Sequence, residues 1–237
     1  MLTFLENCWL SMLLAAVIAY LLGSISFAII ITKRVSGKDI RSFGSGNAGA
    51  TNVLRSQGKL PALLTFIGDL CKSMLSVYLG GLLLCSLQLA PVAGSTLLTH
   101  DTENLALVGK YLAGLCCVLG HIYPVFFGFR GGKGVMTILG MTLILDWRTA
   151  VIGLSVFALV VLISRMVSLG SIIAGISLPI ATYFLRTYLY EQPWQTVAFC
   201  VAAMAIITAI AIIKHRENIK RILNGTESKL GRKKRDG

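Results

Sequence analysis

Residues 9–31, WLSMLLAAVIAYLLGSISFAIII, decide the fold, because they carry no charge and are long enough to cross a bilayer as a helix. Similar apolar stretches recur along the chain. Of its 237 residues, 55% are hydrophobic and only 14% are charged, and the mean hydropathy is +0.78. This composition departs far from that of an average soluble domain. We therefore predict an all-α, polytopic membrane helix bundle.

The other apolar stretches predict further transmembrane helices, which lie at residues 60–90, 105–127, 149–163, 169–185 and 194–213. A shorter stretch at 135–145 follows a glycine cluster. At about 1.5 Å per residue it is too short to cross unless the glycine loop dips into the membrane. Counting it gives about seven transmembrane helices, whereas five with two re-entrant pieces would give the same orientation. We predict one membrane domain over residues 1–230 and a disordered polybasic tail at 231–237.

Basic residues gather in particular loops. The loop after the first span carries six Lys or Arg residues against Asp39 alone, and nine follow Ile213. Residues 91–103, in contrast, hold Asp101 and Glu103 but no base. The positive-inside rule predicts that the first loop and the C-terminus lie in the cytoplasm and that the N-terminus lies on the opposite side, which is the periplasm if the membrane is a bacterial inner membrane.

The net charge of +12 does not indicate a nucleic-acid partner. A nucleic-acid binder needs a solvated basic domain or stripe, and most of this chain cannot leave the membrane. We expect the basic tail to contact anionic membrane lipids instead. The six cysteines and three histidines show no metal-ligand spacing, so no metal or cofactor is expected.

The first motif is DIRSFGSGNAGATNVLR at residues 39–55. Its glycines allow backbone N–H groups to converge on an anion, its hydroxyl and amide side chains add donors, and Arg55 supplies a bidentate charge. This pattern favours a phosphate site, with a flexible linker as the alternative. The match to G-x-G-x-x-G is rejected, because a membrane helix precedes it rather than a strand.

The second motif is GHIYPVFFGFRGGKGV at residues 120–135. It places Arg130 and Lys133 among glycines at the end of a span. It is not a Walker A loop, because Lys133 lacks a following Ser or Thr and the glycine spacing is short. The alternative is an ordinary basic turn on the cytoplasmic side.

The third motif is KHRENIKRILNGTESK at residues 214–229. His215 and Asn218 lie three residues apart and so share one face of a helix, and Glu227 follows. A solvated juxtamembrane helix is the alternative.

Two charged residues fall inside the second span, Asp69 and Lys72. They lie one helical turn apart and can pair, which reduces the cost of placing charge in the bilayer. We interpret the pair as a structural brace for the first motif. The sequence does not decide whether His121 faces the same site or ends a helix.

In these motifs the chain resembles the bacterial acyl-phosphate-dependent glycerol-3-phosphate acyltransferase family. The resemblance is carried by the Asp69 and Lys72 pair and by LGSISFA at 22–28, the first motif, the second motif, SLGSI at 168–172, and HRENIKRILNGTESK at 215–229. It implies transfer of a fatty acyl group from acyl phosphate to glycerol 3-phosphate. The products would be lysophosphatidate and phosphate, in the first acylation of phospholipid synthesis.

The resemblance also implies which residues form the site. Residues with catalytic roles would be Ser45, Arg55, Lys133, His215 and Asn218. Substrate-binding residues would be Gly46, Asn47, Gly49, Thr51, Asn52, Arg130, Gly131, Gly132 and Gly134. Glu227 would support the site, as would the Asp69 and Lys72 pair.

An acyl phosphate is already activated, so the enzyme must chiefly bring two anions together and orient a hydroxyl. We expect Arg55, Lys133 and His215 to bind phosphates, and Ser45 and Asn218 to orient substrate oxygens. The proton acceptor stays open between His215 and the departing phosphate. A covalent acyl-Ser45 intermediate is disfavoured, because no partner for it lies nearby in sequence.

Two other classes of protein fit the pattern from the residues alone. Basic glycine loops and charges within spans also suit a carrier of phosphate esters. A scaffold that uses its basic tail on lipid is the third reading. The sequence leaves the oligomeric state open, with a monomer as one option, and does not reveal the acyl chain length preferred.

Overall fold

The computed structural model describes residues 2–86 and 100–231, and every regular element within these ranges is helical. The all-α prediction is therefore confirmed. The end of the predicted second span and residues 232–237 of the predicted tail lie outside the described residues.

Six helical segments of the described chain are long and apolar enough to cross a membrane: Trp9–Ser36, Lys59–Cys85, Glu103–Phe127, Trp147–Ser164, Val167–Leu189 and Trp194–Lys214. The additional apolar helix Val135–Leu145 has 11 residues. It is about 16 Å long, well short of the roughly 30 Å hydrocarbon core. A seventh crossing and the orientation of the termini stay predictions.

The described residues form two compact units, one ending at Leu145 and the other beginning at Asp146. Each is described by itself, and the single domain of residues 1–230 stays a prediction. The helices of the first unit are α1 (Leu2–Ser24), α2 (Phe27–Ser36), α3 (Ala50–Gln57), α4 (Lys59–Ser86), α5 (His100–Ile122) and α6 (Val135–Leu145).

Glycines let α5 approach its neighbours closely. A Cβ built on Gly120 would overlap the backbone of α1, and a Cβ on Gly23 would overlap the backbone of α5 at Cys117. In the same way, a Cβ on Gly80 of α4 would overlap the carbonyl oxygen of Gly109 in α5, and a Cβ on Gly109 would overlap the carbonyl oxygen of Gly80. Small residues at such crossings are the usual means by which membrane helices gain packing contacts. These crossings bring the carboxyl end of α5 against α1.

The first predicted span is broken between α1 and α2, at Ile25 and Ser26. A break within an apolar stretch exposes carbonyl groups that lipid cannot satisfy. Lys72 of α4 donates from Nζ to the carbonyl oxygens of Gly23 at 2.9 Å and Ile25 at 2.6 Å. The break is thus satisfied by a side chain from another helix.

The second unit contains α7 (Trp147–Ser164), α8 (Val167–Phe184), α9 (Trp194–Lys214) and α10 (Arg216–Leu223). A π-helical turn, Leu185–Leu189, continues α8, which packs against both α7 and α9. Asp146 caps α7 by accepting hydrogen bonds from the Arg148 amide at 3.0 Å and the Thr149 hydroxyl at 2.9 Å. Such a cap satisfies amides that the first helical turn cannot pair.

Candidate active site

The first motif begins with a 3-10 turn that Asp39 organises. The carboxylate of Asp39 accepts hydrogen bonds from the Arg41 amide and Nε, both at 3.0 Å, and from Nη2 at 2.8 Å. Burial raises the pKa of Asp39, but these hydrogen bonds and the charges of Arg41 and Lys33 outweigh it and hold the pKa below its ordinary value. The carboxylate therefore stays ionised and fixes the guanidinium.

Arg41 joins the first motif to the second. Its Nη1 donates to the carbonyl oxygens of Phe127 at 2.7 Å and Arg130 at 3.2 Å. From the sequence, Arg41 is only one more cytoplasmic base, and the predicted site residues do not include it. The Asp-x-Arg spacing was the available signal, because a carboxylate two residues away can orient a guanidinium.

Asn52 holds the first motif in one shape. It is only 3% exposed, and its Nδ2 donates to the carbonyls of Ile40, Phe43 and Asn47 at 2.9 to 3.3 Å. Its Oδ1 accepts from the Ser45 amide at 3.3 Å. The structure gives Asn52 a role in shaping the loop, while its predicted contact with substrate stays untested.

Gly44 depends on the same side chain. Its φ is +50°, and a Cβ there would lie 2.5 Å from Asn52 Oδ1. Both features favour glycine, because other residues rarely adopt positive φ and a methyl group would displace the amide.

The structure exposes Ser45 and Arg55, the two predicted catalytic residues of the first motif. Ser45 lies in the loop, and Arg55 lies in the last turn of α3. The other predicted binding residues are Gly46 and Asn47 in the loop, Gly49 at the N-cap of α3, and Thr51 in its first turn. The Gly46 amide donates to the Phe43 carbonyl and the Gly49 amide to the Asn47 carbonyl.

The second motif folds back on the end of α5. The amides of Gly131 and Gly132 each donate over 3.1 Å, to the carbonyls of Ile122 and His121 respectively. In this conformation these two amides shape the loop and are not directed at an anion. Lys133 follows, half-buried, immediately before Gly134 and the N-terminus of α6. That helix end favours negative charge.

The two motifs border a cleft of about 800 Å³ in the first unit. Its charged lining residues are Lys33, Asp39, Arg41 and Arg130, and it also contains Gly46 and Gly131. The structure therefore places the first and second motifs around one cleft. It leaves the cleft with more cations than anions.

The Asp69 and Lys72 pair is buried in α4. The Lys72 Nζ lies 2.9 Å from Asp69 Oδ1 and 3.2 Å from His121 Nδ1. His121 Nδ1 lies 3.5 Å from the same carboxylate oxygen. The Asp69 and Lys72 pair contacts the carbonyls at the helix break and, through His121, the second motif. The sequence instead predicted a brace for the first motif.

The third motif lies in the second unit and is organised around Glu227. One carboxylate oxygen of Glu227 accepts from the Ser168 hydroxyl at 2.7 Å and from Asn218 Nδ2 at 2.8 Å, and the other accepts from Arg221 Nε at 2.8 Å. Burial raises the pKa of Glu227, but the three side-chain hydrogen bonds and the Arg221 charge outweigh it and lower the pKa. The hydrogen bond from Nδ2 to the carboxylate fixes the orientation of the Asn218 side-chain amide.

His215 stands at the junction of α9 and α10 and is 4% exposed. Its Nδ1 lies 2.8 Å from the Ala211 carbonyl oxygen. A carbonyl only accepts, so Nδ1 carries the proton. In the neutral ring Nε2 then holds the lone pair. The backbone thus sets the tautomer, as a carboxylate does for many functional histidines.

A family model described as glycerol-3-phosphate acyltransferase matches residues 13–225. The glycerol-3-phosphate acyltransferase of Clostridioides difficile (strain 630) is 42% identical over 224 residues, covering 94% of this chain and 98% of that protein. The one of Laribacter hongkongensis (strain HLHK9) is 38% identical over 220 residues, covering 92% and 96%.

Two crystal structures of PlsY (YgiH), an integral membrane glycerol 3-phosphate acyltransferase, are similar to this chain. The glycerol 3-phosphate form has a TM-score of 0.72 and 37% identity, covering 93% of this chain and 96% of that one. The lysphosphatidic acid form has a TM-score of 0.69 and 36% identity with the same coverage.

Proposed function

The chain belongs to the glycerol-3-phosphate acyltransferase family, and on that premise we propose that its acyl donor is an acyl phosphate. It is an integral-membrane acyltransferase of phospholipid synthesis, so the carrier and scaffold alternatives are not retained. The reaction would join the acyl group to glycerol 3-phosphate and yield lysophosphatidate and inorganic phosphate.

The observation that carries the proposal is the junction made by Arg41. It holds two basic, glycine-rich motifs side by side around one cleft. Both substrates of the proposed reaction carry phosphate, and their mutual repulsion must be offset by fixed positive charge. Arg130 lines this cleft. Arg55 and Lys133 are further cations of the two motifs, and a helix N-terminus lies beside Lys133.

His215 and Asn218 keep their predicted roles in the proposed reaction. The hydrogen bond from Asn218 Nδ2 to Glu227 fixes the orientation of the side-chain amide, and Asn218 would orient a substrate oxygen. Ser45 would orient a substrate oxygen from the first motif. The remaining glycines and polar residues of both motifs keep their predicted binding roles, either by direct contact or by shaping the loops.

The chemistry is one substitution at the acyl carbon. The glycerol hydroxyl oxygen forms the new ester bond, the bond between the acyl carbon and the phosphate oxygen breaks, and phosphate leaves with the bonding electron pair. The hydroxyl proton goes either to His215 Nε2, which holds the lone pair of the neutral ring, or to the departing phosphate. Fixed cations would stabilise the charge that develops on the carbonyl oxygen and on the phosphate.

We place the reaction on the cytoplasmic side of the bacterial inner membrane, with the N-terminus in the periplasm. The charge bias of the loops supports this orientation. Glycerol 3-phosphate would arrive from water, while the acyl chain of the donor and of the product would lie among membrane lipids.

The donor can be tested with purified protein, palmitoyl phosphate or palmitoyl-CoA, and labelled glycerol 3-phosphate. We expect lysophosphatidate and phosphate in equal amounts from palmitoyl phosphate alone. Transfer from palmitoyl-CoA without phosphate release would refute the donor assignment. Arg55→Gln should reduce kcat/KM by about 100-fold or more, as for a lost charged contact of about 3 kcal/mol, whereas Lys38→Gln removes the same charge from the same loop and should change little.

The proton acceptor can be tested with His215→Gln. A variant with near wild-type turnover would assign the proton to the departing phosphate, whereas a fall in kcat of about 100-fold or more would support the histidine.

Intact-protein mass spectrometry after incubation with donor alone tests the covalent route, because an acyl adduct on Ser45 would replace direct transfer by a two-step path.

A further inference from the structure

Three buried side chains of the first unit have no part in the chemistry proposed above: Asp69, Lys72 and His121, hereafter the buried triad. Each is at most 5% exposed. The lysine nitrogen lies within 3.2 Å of the carboxylate and of the imidazole Nδ1. A buried ion pair is weak evidence for stability, because apolar residues of similar volume often serve a fold as well.

The first end of the triad fixes the break in the first span. The Lys72 ammonium donates to the Gly23 and Ile25 carbonyls on either side of the α1 terminus. Unsatisfied carbonyls inside a membrane each cost several kcal/mol, so the geometry of this break depends on where Lys72 is held. Asp69 holds it there by charge.

The other end of the triad touches the second motif. The backbone of His121 accepts from the Gly132 amide, and a Cβ built on Gly132 would overlap the His121 Nε2. The Gly132 backbone thus packs directly against the imidazole ring. The position of the ring and the path of the loop are therefore coupled, and the next residue along the loop is Lys133.

We propose that the buried triad is a positioning device for Lys133: Lys72 and Asp69 fix the His121 ring, and the ring fixes the backbone at Gly132. The inference deepens the proposed function, on which its kinetic consequence rests. The triad touches neither substrate. It acts by keeping one loop conformation, and a misplacement of about 1 Å at a reacting centre can cost about 100-fold in rate.

Two variants test the device from opposite ends. The double variant Asp69→Asn with Lys72→Met removes both charges together, which avoids leaving one charge buried alone. Gly132→Ala leaves both charges in place and pushes the loop away from the His121 ring and from the Ala48 carbonyl oxygen of the first motif. Ser76→Ala is the matched control, because it removes a buried hydroxyl that donates to the Lys72 carbonyl on the same helix without touching the triad's side chains.

Amide hydrogen exchange is the first readout and needs no activity. In the double variant we expect faster exchange in peptides covering residues 128–135, because the Gly131 and Gly132 hydrogen bonds open more often, with unchanged exchange in α10. The second readout is kinetic. Both test variants should lower kcat/KM for glycerol 3-phosphate about 10- to 100-fold, whereas Ser76→Ala should keep it.

The outcomes separate the two proposals. If wild-type protein makes no lysophosphatidate, the proposed function fails, while the exchange experiment still tests the device. Wild-type exchange over residues 128–135 in the double variant would overturn the device. Faster exchange spread evenly over both units, or an equal kinetic loss in Ser76→Ala, would reduce the triad to a general contribution to stability and overturn it too.

Discussion

Replacing Glu227 by glutamine should lower the free energy of unfolding of the second unit by about 1.5 to 6 kcal/mol. The Glu227 side chain is only 6% exposed, and its carboxylate accepts hydrogen bonds from Ser168, Asn218 and Arg221. Hydrogen bonds to a charged group contribute about 1.5 to 3 kcal/mol each. Glutamine keeps one acceptor oxygen but turns an N–H group toward a donor, so one to two of the three are lost.

Thermal unfolding of the detergent-solubilised protein measures this loss. For a chain of this size, 1 kcal/mol corresponds to about 2 to 4 °C, so Tm should fall by about 3 to 24 °C. Glu217→Gln is the matched control on α10. Glu217 is 58% exposed and pairs with Arg216 and Lys220 at 3.6 Å, and such surface pairs contribute about 0 to 1 kcal/mol.

The stabilisation by Glu227 depends on pH, in a direction that its lowered pKa sets. The hydrogen bonds lower the pKa of Glu227 below its ordinary value of 4.5, so its stabilisation is present above that pH and is lost as pH falls through the folded-state pKa. The Tm difference between wild type and Glu227→Gln should therefore be full at pH 7 and shrink below pH 4.5. A difference that stays constant into acid, or a Tm equal to wild type at pH 7, would refute the reasoning.

Other changes address the first motif. Arg41→Gln should lower kcat/KM for glycerol 3-phosphate by about 10-fold or more, because a charged hydrogen-bonding group that joins two motifs is lost; equal kinetics for Arg41→Gln and Lys38→Gln would contradict this. Asn52→Ala should lower the free energy of unfolding by about 2 to 3 kcal/mol, measured by Tm, since several buried groups lose their partner. Gly44→Ala should lower it by about 1 to 2 kcal/mol through positive φ, and an unchanged Tm would argue against the described loop.

Hydropathy predicted the helical class and most span positions because the membrane demands apolar stretches of a set length. It could not predict the break at Ile25 and Ser26. The longer stretches on both sides are apolar even though Ser24 and Ser26 lie at the break, and the donor that satisfies the exposed carbonyls, Lys72, comes from another helix. A pattern that is local in sequence contains no signal for a partner so far along the chain.

The candidate site was likewise predicted from the sequence only in part. Composition predicted that the first and second motifs are basic and favour anions, and the structure brings them together. It did not predict that the amides of Gly131 and Gly132 are used within the protein, because glycine permits both loop shaping and anion binding. The position of His121 was undecided for a similar reason, since burial beside Asp69 and Lys72 depends on how α4 and α5 pack.

The break in the first span also implies an order of assembly. Trp9–Ser36 precedes α4 in the chain, and as an isolated segment it lacks the Lys72 donor for the carbonyls of Gly23 and Ile25. A continuous helix satisfies every one of its own backbone groups, so the segment should insert unbroken. The bend would then form only when α4 packs against this segment and places Lys72 at the carbonyls. The shape of the first segment therefore depends on a helix that follows it in the chain.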